Sequence, residues 1–194
     1  MLLAGALTLS ACTGMDTTVN DRNEYLAVQT RLYKGEGRER LLQAAEAVVR
    51  ASGNYEFEFG LNGFSARKSY FVYGIVANAS GREKWDFNTE ANPGGLLATA
   101  TVSDAGDIHG GLTVSRYEKI GVAAPVYELF WARVDYVLGR RADWLSCAQA
   151  QAEKGAGGSL YGLCGGLSGS EAIPPQLAPV TPRAGRRSGQ AARP

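Results

Sequence analysis

The sequence predicts an α+β fold: an antiparallel sheet of about five strands with two amphipathic helices packed on one face. Segments in which polar and apolar residues alternate, a pattern typical of half-buried strands, recur between Tyr25 and Tyr117. Two other segments carry apolar residues at helical spacing, one after the first strand and one after the last. Because an antiparallel sheet has to bury one face, these two helices are the available cover.

The first half of the chain supplies several strands and one helix. The alternation from Tyr25 to Tyr33 predicts a strand. Between Arg38 and Ser52 the apolar residues recur at helical spacing, which predicts a helix that ends at Gly53. Further strands are predicted over Tyr55–Phe59, Arg67–Asn78 and Lys84–Asn88, with a hairpin turn at Ala79–Arg82 between the last two.

The second half continues the sheet and then becomes helical. A turn at Asn92–Gly95 precedes a strand over Leu96–Ser103, which we expect Asp104–Gly106 to end, and one weak strand follows near Leu112–Tyr117. Pro125 then opens a helix that runs to Leu138, with Gly139 as its C-cap and with Arg133 off its apolar stripe. A shorter helix is predicted over Asp143–Glu153.

The composition allows one domain and excludes one class of partner. The chain has 194 residues, of which 45% are hydrophobic and 20% are charged, and we assign positions 24–168 to a single domain. Four Arg residues lie in the last dozen positions, so acidic residues outnumber basic ones in the remainder. A nucleic-acid-binding domain would need a basic body, so no nucleic-acid partner is expected. The Pro- and Gly-rich positions 169–194 predict a disordered basic tail.

The N-terminus carries a short motif with a specific meaning. Leu9-Ser10-Ala11-Cys12, preceded by the apolar run from Met1 to Thr8, resembles the lipobox of bacterial lipoproteins, which closes a secretory signal. The resemblance implies that the Cys12 thiol is linked to a diacylglycerol, that positions 1–11 are a cleaved signal peptide and that positions 12–23 form a tether. Thr13, where an Asp would favour the inner membrane, implies the outer membrane.

One alternative reading of the N-terminus stays open. The first basic residue is Arg22, whereas a secretory signal opens with positive charge, so we expect a start codon further upstream. The apolar run is too short to span a bilayer, which needs about 20 residues. Without lipidation, the same run would be a buried N-terminal strand or helix with a free thiol at Cys12.

The remaining cysteines form an even pair. The chain has 3 Cys, so lipidation of Cys12 leaves Cys147 and Cys164 in an oxidising compartment, where a disulfide is expected. The bridge would close a Gly-rich loop and stabilise the fold by about 3 kcal/mol in the chain-entropy model. The alternative is two unrelated thiols.

A set of aromatic residues would converge if the second helix packs on the sheet. The set includes Tyr73, Trp85, Tyr127, Phe130 and Trp131. An ordinary aromatic core explains such a set. A pocket for a small apolar ligand or lipid, between helix 125–138 and the sheet, explains it too.

Catalytic and metal-binding patterns are weak. His109 is the single histidine, in a stretch that we expect to be an exposed loop, with Asp107 and Ser115 nearby. A Ser-His-Asp set is recognised by geometry, so an envelope hydrolase stays open as a third reading. The two remaining cysteines lack metal-ligand spacing, and no phosphate-binding loop is evident. We therefore expect no catalytic residues, no metal and no cofactor.

The leading functional hypothesis is a non-enzymatic envelope lipoprotein. The predicted element order, together with the lipobox, resembles the helix-grip domains of envelope lipoproteins such as those of the outer-membrane protein assembly machinery. The resemblance implies a domain that faces the periplasm and is held on the membrane by its N-terminal lipid. Such a domain would bind a protein partner in an envelope or secretion assembly. The alternative is the apolar-ligand-binding protein described above.

Overall fold

A computed structural model of the chain describes residues 26–74, 77–110, 113–120, 124–154, 160–164 and 171–178. It confirms the α+β class, with one six-stranded antiparallel sheet and helices on one of its faces. The strands are β1 (Thr30–Tyr33), β2 (Glu56–Phe59), β3 (Gly63–Tyr73), β4 (Asn78–Asn92), β5 (Gly95–Gly110) and β6 (Thr113–Ile120). The helices are α1 (Arg38–Ala51), α2 (Ala124–Val137) and α3 (Cys147–Lys154), with a 3-10 helix over Tyr161–Cys164.

The sheet is built on the long β4–β5 hairpin, which turns at the predicted Asn92–Gly95 segment. Its pairing runs from Asn92 opposite Gly95 to Asn78 opposite His109. Strand β3 pairs with β4 along its length, and β2 pairs with the first part of β3. Strands β1 and β6 both pair with β5, β1 near its start and β6 near its end. At the far end of the hairpin the sheet therefore has four strands, in the order β6-β5-β4-β3.

The core lies on one face of the sheet, near the Asn92–Gly95 turn. Alternate residues of the three central strands are buried there, namely Phe64 and Ala66, Trp85 and Phe87, and Ala98, Ala100 and Val102. Helix α1 packs its buried residues Leu41, Ala44, Ala45, Val48 and Val49 against this face and against α2. On the opposite face Arg67 pairs with Glu58, and Lys84 pairs with Asp86. This alternation places the buried face under the helices and the charged face in water.

Local capping fixes the ends of two helices. Gly139 has φ 74°, and the amides of Gly139 and Arg140 donate to the carbonyls of Tyr136 and Asp135, which is the Schellman arrangement predicted for the end of α2. Helix α3 begins at Cys147, later than the predicted Asp143. The reason is a capping box, in which Gln149 N–H donates to Ser146 Oγ and Ser146 N–H donates to Gln149 Oε1.

The predicted first strand is shorter in the structure. Residues 26–29 are helical, and only Thr30–Tyr33 is extended. The Val28 carbonyl accepts a hydrogen bond from Trp131 Nε1 at 2.8 Å, and the Gln29 side chain donates to the Tyr127 hydroxyl at 3.1 Å. The Val28 carbonyl is therefore satisfied by α2 and not by a strand ladder, and the Gln29 side chain adds a second bond to α2.

Two predicted turns are wrong, because both lie inside strands. Ala79–Arg82 belongs to β4, and Asp104–Gly106 belongs to β5. Gly81 and Gly106 are paired with each other in the sheet, flanked by Tyr70 and Tyr117 on the outer strands. The two tyrosine side chains lie over the glycines, where a Cβ would collide with a tyrosine hydroxyl. The glycines therefore mark a close approach of aromatic rings and not a chain reversal.

Helix α2 is covered on more sides than its pattern predicted. Its buried residues include Val126, Leu129, Val134 and Val137, and also Arg133, which the sequence pattern placed off the apolar stripe. The additional cover comes from α3, from the 3-10 helix and from residues 171–178. In this last segment Leu177 N–H donates to the Val137 carbonyl at 2.7 Å. Residues 171–178, which the sequence pattern assigned to the tail 169–194, therefore contact α2 in the structure, and the remainder of that tail lies outside the described residues.

Candidate functional site

The aromatic set predicted to line a pocket does not enclose one. Trp85, Tyr127 and Phe130 are at most 1% exposed, and Trp131 is 5% exposed. The Phe130 ring lies 5.1 Å from Trp85 and 4.9 Å from Trp131, centroid to centroid. Tyr73 is 83% exposed and lies at the far end of β3. These contacts make four of the residues an ordinary packed core, and the fifth belongs elsewhere.

A groove does run beside α2, and its lining mixes apolar and charged side chains. It has a volume of about 390 Å³ and is lined by Arg31, Asp135, Arg141, Glu153 and Trp131, among others. The Arg31 guanidinium lies 2.8 Å from the Asp135 carboxylate. An apolar ligand would have to desolvate this ion pair, so the groove does not suit the ligand predicted from the sequence.

The structure separates the residues proposed for a hydrolase. His109 lies in β5, and the predicted loop is wrong at this point. Ser115 is paired with Ile108, whereas His109 is paired with Val114. Because successive residues of a strand point to opposite faces, His109 and Ser115 lie on different faces of the sheet. Asp107 shares the face of His109 but forms an ion pair with Arg116.

Cys147 and Cys164 form the predicted disulfide, with their Cα atoms 5.7 Å apart. The bridge joins the start of α3 to the end of the 3-10 helix. Beside it, Gly162 N–H donates at 3.0 Å to the Glu83 carboxylate, which also accepts from Tyr55 and Trp85. The disulfide thus holds a segment that satisfies a buried carboxylate of the sheet.

Arg133 is the centre of a second polar cluster next to the disulfide. It is 1% exposed. Its guanidinium donates to the carbonyls of Leu145 and Leu163 at 3.1 and 3.0 Å, and it forms an ion pair with Glu171. Burial lowers the pKa of Arg133 to about 10, so the group stays charged at neutral pH. These bonds join α2 to the segments that contain Leu145, Leu163 and Glu171. None of these segments has a periodic apolar pattern of its own, so the bonds to Arg133 help to fix their positions.

We expect loss of the disulfide to destabilise the fold without unfolding it at room temperature. The paired variant Cys147→Ala/Cys164→Ala should lose about 3 kcal/mol of unfolding free energy, because a loop of this length gains that entropy when unbridged. Urea titration monitored by circular dichroism measures the loss. Dithiothreitol should reproduce it in the native chain and leave the variant unchanged. A variant as stable as the oxidised native chain would contradict the structural role.

Five of the ten exposed large apolar residues in the described part of the chain lie together at the far end of the sheet. We name this region the sheet tip and define it as Phe71–Tyr73, Asn78–Ser80, Asp107–Gly110 and Thr113–Arg116. It holds Phe71, Val72, Tyr73, Ile108 and Val114, with exposed fractions of 52%, 56%, 83%, 43% and 63%. No helix covers it on either face among the described residues. A patch of this kind marks a contact with a partner or a membrane.

The tip is attached to the core through a tyrosine cluster. The hydroxyls of Tyr70 and Tyr117 are in contact, and the Tyr70 hydroxyl donates to the Asp104 carboxylate at 2.7 Å. Burial, with these hydrogen bonds, raises the pKa of Tyr70. Tyr70 therefore stays neutral at physiological pH, and its hydroxyl links β3 to β5 and β6.

The sequence contains one signal for the tip, a long run without charged residues. From Tyr70 to Ser80 there is no Asp, Glu, Lys or Arg. Because this run was divided between a strand and a turn, its exposure was not predicted. The predicted lipidation site, Cys12, lies outside the described residues, as does the tether.

Comparison of the chain with protein-family models, with curated proteins and with solved structures found no match. Within the described ranges, no helix is long and apolar enough to cross a membrane. The same ranges hold no group of three or more His, Cys, Asp or Glu side chains that could bind a metal ion.

Proposed function

We propose that the chain is a non-enzymatic interaction protein of the cell envelope, held on the outer membrane by a lipid on Cys12 and facing the periplasm. The observation that carries the proposal is the placement of the apolar side chains. The core under the helices is filled by Trp85, Phe130 and their neighbours, whereas five apolar side chains of the sheet tip are exposed. A filled core with an exposed apolar patch favours a surface contact over a ligand cavity.

The architecture suits such a role. The disulfide and the Arg133 cluster stabilise the end of the domain that carries the helices, so the tip projects from a rigid base. Rigid presentation lowers the ordering cost of a contact. The domain would thus present one element to its partner, while the lipid confines it to a membrane surface.

Replacing Cys12 with Ala should release the protein from membranes. A diacylglycerol contributes about 0.8 kcal/mol for each buried methylene, so its removal should move nearly all the protein to the soluble fraction. Fractionation of cells that produce the full chain, followed by immunoblotting, makes the measurement. Thr13→Ala is the matched control, since it changes the next residue and keeps the thiol. If the Cys12 variant, after a carbonate wash that removes peripherally bound protein, sediments with membranes as the control does, the anchor is refuted.

A further inference from the structure

We propose that the sheet tip docks on the surface of a lipid bilayer and inserts its apolar side chains between headgroups and acyl chains. The proposal deepens the proposed function, on which it rests, by assigning what the exposed patch contacts. It concerns Phe71, Val72, Tyr73, Ile108 and Val114, and it is independent of how Cys12 is modified.

Both faces of the tip carry exposed apolar side chains. Cross-strand pairing sets Val72 and Ile108 in one row of the sheet, and Tyr73 and Val114 in the next row. Neighbouring rows point to opposite faces. A single flat protein surface could cover only one of these faces. A bilayer surrounds the inserted element and covers both.

The outermost rows of the tip carry no charged side chain. One row of the tip holds Val72, Ala79, Ile108 and Ser115, and the next holds Tyr73, Asn78, His109 and Val114. The pair beyond them is Gly110 with Thr113, and none of these residues is Asp, Glu, Lys or Arg. The next row back holds Phe71 and the Asp107–Arg116 ion pair, whose atoms are 3.1 Å apart. The Phe71 row thus combines an apolar ring with an ion pair of no net charge, and the rows beyond it are uncharged, which suits a neutral lipid surface.

The length of the apolar part of the tip matches the depth of a membrane interface. From the Phe71 row to the Tyr73 row is two residues, or about 7 Å at the rise of a strand. This matches the 5–10 Å to which interfacial elements enter the headgroup and acyl boundary. Deeper insertion is disfavoured, because β6 and the far part of β3 are edge strands of the sheet and unpaired backbone groups are costly in hydrocarbon.

The tether permits contact with the membrane that holds the anchor. Strand β1 joins the sheet at Thr30, opposite Thr99, which is nine residues of β5 from Ile108, or about 30 Å. The 14 positions from Cys12 to Leu26 span at most about 46–50 Å when extended. An anchored chain can therefore lie with its tip on the same bilayer.

A local reporter tests the proposal without the anchor. The full chain carrying Cys12→Ala is prepared with Tyr73→Trp and mixed with phosphatidylcholine vesicles whose acyl chains are brominated. The native Trp85, Trp131 and Trp144 are 1%, 5% and 9% exposed, so they contribute little quenching. Leu61→Trp is the matched control, because Leu61 is 92% exposed and lies at the opposite end of the sheet.

We expect the Trp at position 73 to be quenched and the Trp at position 61 to stay unquenched. Adding Phe71→Ser and Ile108→Ser, one on each face, should lower the partition coefficient at least about tenfold through lost apolar burial. Raising the salt concentration should change it less than about twofold, since the tip is neutral. If the double variant melts early, Tyr73→Ser, at an exposed position, provides the same comparison by co-sedimentation with vesicles.

Several results would overturn the proposal. One such result is no quenching of the Trp at position 73. Another is equal quenching at positions 73 and 61, because that would indicate unspecific adsorption. A photoreactive group at position 73 that forms adducts with a protein and not with lipid in native membranes would assign the tip to a protein partner. Dimerisation without vesicles that the tip substitutions abolish would assign it to a second copy of the chain. The anchor is read from the mass of the peptide that begins at Cys12, and docking of the tip is read from quenching at position 73, so the two proposals fail separately.

Discussion

Replacing Arg133 with Met is expected to cost about 3–5 kcal/mol of unfolding free energy, as when one partner of a buried ion pair is removed. The change would leave the Glu171 carboxylate without its cation and the carbonyls of Leu145 and Leu163 without their donor. Urea unfolding at neutral pH measures this loss. We expect the segments around these residues to open first, which native-state hydrogen exchange would show as faster exchange of their amides.

The matched control is Arg31→Met, which removes another Arg that pairs with an acid. The Arg31–Asp135 ion pair is 2.8 Å long, but the Arg31 side chain is 43% exposed, so its loss should cost less than about 1 kcal/mol. The double variant Arg133→Met/Glu171→Leu should cost less than the sum of its single variants, since no unpaired charge remains. Equal costs for the two Arg variants would contradict the role of Arg133.

Replacing Phe130 with Ala is expected to cost about 3–5 kcal/mol, as do other truncations of buried aromatic residues. Its ring packs against Trp85, Phe87 and Trp131, and the rigid sheet prevents the cavity from collapsing. Thermal or urea unfolding measures the effect. Tyr73→Ala is the control, since this exposed side chain should change stability by less than about 0.5 kcal/mol.

This pair of variants separates a packed core from a ligand pocket. If both residues lined a pocket, both substitutions would weaken ligand binding and neither would greatly change the stability of the free protein. A nearly neutral Phe130→Ala would therefore contradict the packed core and restore the apolar-ligand hypothesis.

The sequence predicted those parts of the fold that depend on local chemistry. The α1 helix from Arg38, the end of α2 at Gly139 and the turn at Asn92–Gly95 each follow from periodicity or from a glycine at a position that favours it. The disulfide was predicted from the two cysteines, Cys147 and Cys164, that remain when Cys12 is assigned to the lipid. These features depend on a few neighbouring residues, so they can be read without the tertiary structure.

Features that depend on distant residues were not predicted. The helical pattern placed Arg133 off the apolar stripe and therefore predicted that it is exposed. Its burial was not predictable, because the segments that cover it, up to Glu171, show no periodicity of their own. Gly81 and Gly106 were interpreted as turns because the tyrosines that cover them come from other strands. The same error hid the sheet tip, because β4 was predicted to begin at Lys84 and β5 was predicted to end at Ser103.

The lipid on Cys12 is the central claim, and mass spectrometry of protein isolated from membranes tests it most directly. Because the first basic residue is Arg22, trypsin should release positions 12–22 as one peptide. We predict that this peptide begins at Cys12 and carries a thioether-linked diacylglycerol. A peptide that retains the Ala11–Cys12 bond, with a free thiol on Cys12, would contradict the account.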